Sequence, residues 1–281
     1  MTTRAVRAPA SSANLGAGFD VFAMALDAYA DVGVDDPPEG AQVVDEHHPA
    51  RHAFTQMGGT GQMWLRCKIP MARGLGFSGA VRVAAASLAA VQLHDDPAAA
   101  IAERSADILR VATDLEQHGD NAAASLFGGV TAFVDGRSIA VPIGPRLAHA
   151  AFVAWVPDVT TSTDRSRASL PSEVTRADAV FNLGRAVQFA LAFAHDDPSL
   201  LAGATDDALH QAWRLPLIDG AAEALDAGVA AGAWCGWLSG SGPTVGFLVD
   251  PEVAPEVAGA LPAGGHVKFM SIDRRGARLL D

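Results

Sequence analysis

Three loops of this chain carry glycines beside residues that can hold an anion or orient a hydroxyl. The first, Pro70-Met71-Ala72-Arg73-Gly74-Leu75-Gly76-Phe77-Ser78-Gly79-Ala80, runs into a long apolar stretch. Glycines let a backbone approach a ligand closely, and a helix start offers unpaired N–H groups with the positive end of the helix dipole. A phosphate suits such a place. The pattern is neither a Walker A loop, which needs GxxxxGK and then Ser or Thr, nor a Rossmann GxGxxG followed by an acid. An ordinary strand–turn–helix corner has the same composition. The second loop, Ala10-Ser11-Ser12-Ala13-Asn14-Leu15-Gly16-Ala17-Gly18-Phe19-Asp20, gathers small hydroxyls, an amide and a carboxylate. A turn with Asn14 in left-handed geometry and Asp20 as a helix cap would read alike. The third, Ser239-Gly240-Ser241-Gly242-Pro243-Thr244, lies between apolar runs. Its hydroxyls and glycines can donate around an oxyanion or simply close a tight turn.

The elements that must position these loops alternate along the chain. Residues 4–9 read as a strand entering the loop at 14–18, and 21–28 as a second strand. The interval 31–52 is polar, contains Asp35-Asp36-Pro37-Pro38, and reads as turns and loop. A strand is expected at 63–69, a buried helix of small residues at 78–93, and a helix charged on one face at 98–116. Residues 128–136 read as a strand closed by an Asp-Gly turn, with 138–141 as its hairpin partner. A strand follows at 151–156, then helices at about 175–195, 199–212 and 218–231. Strands at 236–238 and 244–249, a helix at 255–260 and a strand at 266–271 complete the pattern. This interleaving predicts a mixed helix-and-sheet protein, with a domain boundary near residue 145.

Composition narrows the function. The 281 residues hold 20 basic and 32 acidic side chains, for a net charge of -12, and the only lysines are Lys68 and Lys268. So acidic a chain argues against nucleic acid and anionic membranes as partners, because both demand a cationic surface. Two cysteines, Cys67 and Cys235, make no disulfide framework and read as thiols in apolar surroundings. The most apolar stretches are broken by charge, as Arg185 breaks 179–194, and none approaches bilayer length, so a cytoplasmic protein is expected. His47, His48 and His52 read as residues of a solvated loop rather than as a metal site, and the five tryptophans as packing.

In order and content the three loops resemble the GHMP small-molecule kinases, whose motifs read roughly PxxxGLGSSxA in the middle and GSGPT near the end. Within that superfamily the likeness is greatest to the homoserine kinases. Their N-terminal motif is similar to Ala8-Pro9-Ala10-Ser11-Ser12-Ala13-Asn14-Leu15-Gly16-Ala17-Gly18-Phe19-Asp20. Their HxDNxAPxxxGG resembles the run from His118-Gly119-Asp120-Asn121 to Gly128-Gly129. Ser162-Thr163-Asp164-Arg165-Ser166-Arg167 resembles STxxAR, and Arg214-Leu215-Pro216-Leu217-Ile218 resembles RxxLIP. Phe181-Asn182-Leu183-Gly184-Arg185-Ala186 extends the likeness, which runs from residue 4 to about 250 outside the interval 30–60.

The resemblance implies an α+β, two-domain fold: a ribosomal-S5-like N-terminal domain (1–145), a ferredoxin-like C-terminal domain (146–281), and a site in the cleft between them. It implies ATP-dependent phosphorylation of the side-chain hydroxyl of L-homoserine, a step toward threonine, with Mg²⁺ as the metal and a homodimer as the assembly. Arg73, Gly74, Leu75, Gly76, Ser78, Gly79 and Ala80 would cradle the ATP phosphates. Ser78 and a helical carboxylate would hold the metal, with Asp114 expected in that role and Glu116 as the alternative. Arg167 and Arg214 would clamp the amino-acid carboxylate, a task suited to planar guanidinium groups. Asn14, Asp20 and Asn121 would hold the amine and hydroxyl, with His118 and Thr163 close by and Thr244 beside the transferring phosphate. Asp20 is expected to orient, and no residue is assigned as base. Phe77 stands where the resemblance has a second serine, and the interval 29–68 is short for wrapping an adenine. These departures leave room for a degenerate member that binds a small amino acid without catalysis, or for a kinase of another small hydroxy acid.

Overall fold

The computed structural model describes residues 5–280, so Arg4, where the first expected strand begins, lies outside them. Strands β1 (Ala5–Ala13) and β2 (Phe22–Val34) pair antiparallel, with a register shift at Pro9/Ala10, where proline cannot continue the ladder. Short β3 (Gln42–Val43), helix α1 (Pro49–Gln56) and β4 (Met63–Cys67) follow. Next come α2 (Phe77–Leu93), α3 (Ala100–Glu103), α4 (Ser105–Glu116) and α5 (Asp120–Phe127). The hairpin β5 (Val130–Val134) and β6 (Arg137–Val141) leads to α6 (Pro145–Ala148) and β7 (Ala151–Pro157). Helices α7 (Thr163–Ala168), α8 (Arg176–His195), α9 (Gln211–Arg214) and α10 (Ala221–Ala230) precede β8 (Cys235–Leu238) and β9 (Val245–Val249). Helix α11 (Ala254–Ala260), β10 (Gly265–Ser271) and β11 (Arg278–Leu280) end the described chain.

Two sheets result. The first has seven strands, with β11-β1-β2-β4-β3 as its main path and the β5–β6 hairpin joined to β2. Strand β2 is long enough to serve β5 with Phe22–Met24 and β4 with Ala30–Val34 along the same edge. The second sheet runs β10-β7-β9-β8, all antiparallel. Helix α2 lies against β1 and β2 and is buried almost all round, its alanines permitting close approach. Among the described residues no helix is long and apolar enough to cross a membrane.

Several sequence expectations need correction. The second strand continues to Val34 rather than stopping at 28, so Asp31 is a strand residue. The expected loop over 31–52 contains β3 and the start of α1, with His48 capping that helix through its side chain. The expected helix at 98–116 breaks at Arg104, and the one at 199–212 does not form. In the latter stretch the Asp207 carboxylate takes the backbone N–H groups of Leu209, His210 and Gln211, and only the single turn α9 follows. Strand β11 was not foreseen; it returns to pair with β1 after the second sheet is complete.

Three strands are fastened by one carboxylate. Arg7, Asp31 and Arg66 stand opposite one another on β1, β2 and β4. Arg7 donates to Asp31 at 2.7 and 2.9 Å, and Arg66 at 3.0 Å. Burial pushes the Asp31 carboxyl up, but hydrogen bonds from the two arginines outweigh it and hold the group below its ordinary value of 3.8. Replacing Asp31 by Asn should therefore cost about 2 kcal/mol at neutral pH and lower the thermal midpoint by several degrees. Because the folded pKa is depressed, this contribution is complete above the unfolded value and lost as pH falls through the folded one. Thermal melts of both proteins from pH 7 downward should show the gap closing only below about pH 4.

Candidate active site

Helix α2 begins without a side-chain cap, from Gly76 in left-handed geometry at φ 66°. Its first backbone bond runs from the Ala80 N–H to the Gly76 carbonyl at 2.9 Å, leaving the N–H groups of Phe77, Ser78 and Gly79 ahead of the ladder. Their residues line a cavity of about 300 Å³ walled by Pro49 and residues 71–79 together with Glu116, His118, Asn121, Thr161, Thr163, Gly240 and Ser241. Glycine is required here. A Cβ on Gly76 would lie 2.0 Å from Ser11 Oγ and 3.0 Å from Asn121 Oδ1, and one on Gly74 would lie 2.3 Å from the Ser239 carbonyl.

A second, tighter pocket of about 40 Å³ adjoins the first, sharing His118, Asn121, Thr163, Gly240 and Ser241. Its other walls include Asn14, Asp20, Arg167 and Arg214. Asn14 is a fixed strut: its amide donates to the Gly240 carbonyl at 2.8 Å, and its Oδ1 accepts the Asp20 N–H at 3.1 Å. Asn121 Oδ1 accepts from Ser11 Oγ at 2.8 Å. Arg167 grips Asp20 with two bonds of 2.9 and 2.6 Å. Both guanidinium groups stand near the Phe19 ring, Arg167 at 5.8 Å and Arg214 at 5.2 Å from its centroid, while His210 stacks on that ring at 5.0 Å.

Arg214 is 3% exposed. Its contacts are the Ser166 carbonyl and His210 Nδ1, both at 3.4 Å, and no carboxylate among the described residues forms an ion pair with it. Burial first, and then the like charge of Arg167, pushes it down to about 10. Burial likewise lowers His210, whose Nε2 lies 3.0 Å from the Gly16 carbonyl, so the ring is neutral. A buried guanidinium with unmatched charge calls for an anion.

Most of the residues singled out in the sequence meet here, but three do not. Thr244 is wholly buried, its hydroxyl has no hydrogen-bond partner among the described residues, and it lines no wall of either pocket. The turn folds its backbone onto Ser239 N–H at 2.9 Å, and Ser241 is the hydroxyl that faces the cavities. Ala80 is also buried, with its N–H spent within the helix. Asp114 points to solvent beside Arg110 at 3.5 Å and is 56% exposed, whereas Glu116 is 10% exposed and lines the loop cavity. The helical period explains it: Ile108, Ala112 and Glu116 share the buried face of α4, and Asp107, Arg110 and Asp114 share the wet one. Phe19, His210 and Ser241 were not assigned roles from sequence, although the spacing of His210 and Arg214 by four is a helical signal.

The family model described as GHMP kinases N terminal domain matches residues 43–129, and that described as GHMP kinases C terminal matches 189–267. The homoserine kinase of Thermus thermophilus is 34% identical over 269 residues, spanning 91% of this chain and 90% of that protein. The homoserine kinase of Desulfitobacterium hafniense is 33% identical over 304 residues, spanning 98% and 99%. Among solved structures, the homoserine kinase of Cytophaga hutchinsonii aligns with a TM-score of 0.80 at 23% identity, covering 100% of this chain and 98% of that one. The mevalonate kinase of Methanococcus jannaschii aligns with a TM-score of 0.69 at 12% identity, covering 95% and 98%. At those identities the structural likeness speaks for the fold.

A pair of glycine substitutions separates the loop's steric demand from ordinary helix propensity. Gly76→Ala should lower stability by at least about 1–2 kcal/mol through its left-handed backbone, with Ser11 displaced as well. Gly184→Ala, in the exposed middle of α8 with open space around it, should raise stability by up to about 1 kcal/mol. Denaturant unfolding of the two variants checks both signs.

Proposed function

The chain belongs to the GHMP kinases, and on that footing we propose that it transfers the terminal phosphoryl group of ATP to the side-chain hydroxyl of L-homoserine. The products are ADP and O-phospho-L-homoserine, on the way to threonine. The observation that carries the acceptor assignment is Arg214, a buried cation without a carboxylate partner, set one shared wall away from the glycine loop. An amino-acid carboxylate between Arg214 and Arg167 supplies the missing charge, and it leaves the side-chain hydroxyl directed toward the loop. Homoserine kinases at 33–34% identity over most of the chain support the same substrate.

Each residue then has a task. Gly74 and Gly76 let the loop backbone press against Ser239 and Ser11, and the N–H groups of Phe77, Ser78 and Gly79 meet the phosphates. Asn121, braced by Ser11, and Asp20, braced by Asn14, orient the acceptor's polar groups. Phosphoryl transfer makes a bond from the acceptor oxygen to the γ-phosphorus and breaks the bridge to ADP, and positioning with charge compensation carries most of its rate. Ser78 and Glu116 are hard oxygen donors facing the cavity, of the kind Mg²⁺ takes beside phosphates, and would hold the ion there to offset phosphate charge. We take Glu116 rather than Asp114 as that carboxylate, because only Glu116 reaches the cavity. We also set the domain boundary near residue 145, between β6 and α6, with β11 rejoining the first sheet.

A coupled assay of ADP release with MgATP should show turnover that depends on L-homoserine, exceeding that with pantoate or shikimate. Arg214→Ala should lower kcat/KM for homoserine about 10- to 100-fold, the loss expected for a charged hydrogen-bonded contact, with little change in the KM for ATP. Calorimetric binding of homoserine without turnover on any acceptor would leave a non-catalytic amino-acid binder instead.

A further inference from the structure

Helix α2 carries one charged residue in 17, and that residue is half-buried early in the helix that follows the phosphate loop. Arg82 sits one turn beyond Ser78, close enough along the helix for the two side chains to meet. Its guanidinium donates to Ser78 Oγ and pairs with the Glu116 carboxylate, bridging α2 and α4. Its side chain is 16% exposed, burial depresses its basicity, and its Nε has no hydrogen-bond partner among the described residues. An apolar helix tolerates a charge so placed only when a strong partner compensates the lost hydration. Ser78 and Glu116 are also the two oxygen donors assigned above to a divalent cation. A permanent cation of this chain therefore already contacts one oxygen of each, and a Mg²⁺ ion held there would share the two residues with it.

We propose that Arg82 is a resident cation of the phosphate loop: it holds Ser78 and Glu116 together and balances the Glu116 carboxylate, so the loop takes up a nucleotide polyphosphate without a divalent metal. The inference rests on the kinase reading. Without Arg82, the Glu116 charge would face the incoming phosphates uncompensated, and in a partly dehydrated cleft that repulsion is strong. Arg82 is thus a positioning residue that acts through Ser78 and Glu116. It also offers an electrostatic counterpart to the hydroxyl that Phe77 lacks.

The test is calorimetric titration of ATP and of ADP into the full chain without homoserine, in excess EDTA and in excess MgCl₂. The wild type should bind in EDTA within about tenfold of its affinity in magnesium. Arg82→Ala should weaken binding in EDTA by about tenfold or more while largely keeping its affinity in magnesium. Arg82→Lys, and the pair Arg82→Ala with Glu116→Gln, should both recover metal-free binding, the first by restoring the cation and the second by removing the anion. Circular dichroism melts show that each variant is folded. Wild-type binding in magnesium but not in EDTA overturns the proposal and leaves the kinase reading intact. Equal losses for Arg82→Ala in both buffers also overturn it, since they mark a structural role alone. Absence of nucleotide binding by the wild type in either buffer defeats the kinase reading itself.

Discussion

Everything at this site depends on a contact too close for a side chain. The loop between β4 and α2 is clamped between the end of β1 and the turn that joins β8 to β9. Ser239 Oγ donates to the Gly74 carbonyl at 2.6 Å and meets Ser12 Oγ at 2.7 Å, while the Gly240 N–H reaches the Ala13 carbonyl at 3.1 Å. Trp237 closes the cluster by donating to Ser12 Oγ at 2.9 Å. One strand of the first sheet, the glycine loop and one turn of the second sheet are thereby locked into a single seam. The helix start, the Asn121 amide and the Ser241 hydroxyl converge because their three supports touch there.

The loops were legible in the sequence because their demands are local. Glycine at 74 and 76, hydroxyls at 11, 12 and 239, and an amide at 14 announce turns and close approaches whatever the rest of the chain does. Strand β11 was not legible, since its pairing with β1 joins residues almost a whole chain apart. The segment 199–212 misled through composition: leucines and alanines suggest a helix, yet Asp207 captures the backbone donors such a helix would need. Asp114 against Glu116 was a question of helical phase. The apolar residues Ile108 and Ala112 already mark the inward face on which only Glu116 falls. Thr244 was placed by motif alone, and the sharp turn before it hides its hydroxyl while presenting Ser241.

The two arginines of the acceptor pocket differ in a way that composition cannot show. Arg167 and Asp20 form a two-pronged pair with 38% and 36% of their side chains exposed, the kind of contact that water competes with and that contributes little net energy. A ligand carboxylate can displace Asp20 from it cheaply. Among the described residues Arg214 forms no such pair and is almost fully buried, and Asp20 and Asp207 offset only part of what burial costs its charge. Of the two arginines, Arg214 is therefore the one whose charge an incoming carboxylate would match, while Arg167 and Asp20 close on each other.

A similar division holds across the shared wall. Phe77 cannot donate to a phosphate, and its ring instead packs edge-on against His48 at 6.2 Å, tying α1 to the loop. That contact gives the unexpected helix α1 a role, since Pro49 at its start also lines the loop cavity. The loop has an aromatic brace where its relatives' motif has a hydroxyl, and it keeps a guanidinium behind Ser78. The ring takes a donor away from the anion site, whereas the guanidinium adds positive charge beside it. Together they are consistent, because the buried cation holds Ser78 and Glu116 in place from below while the ring packs the loop from the side.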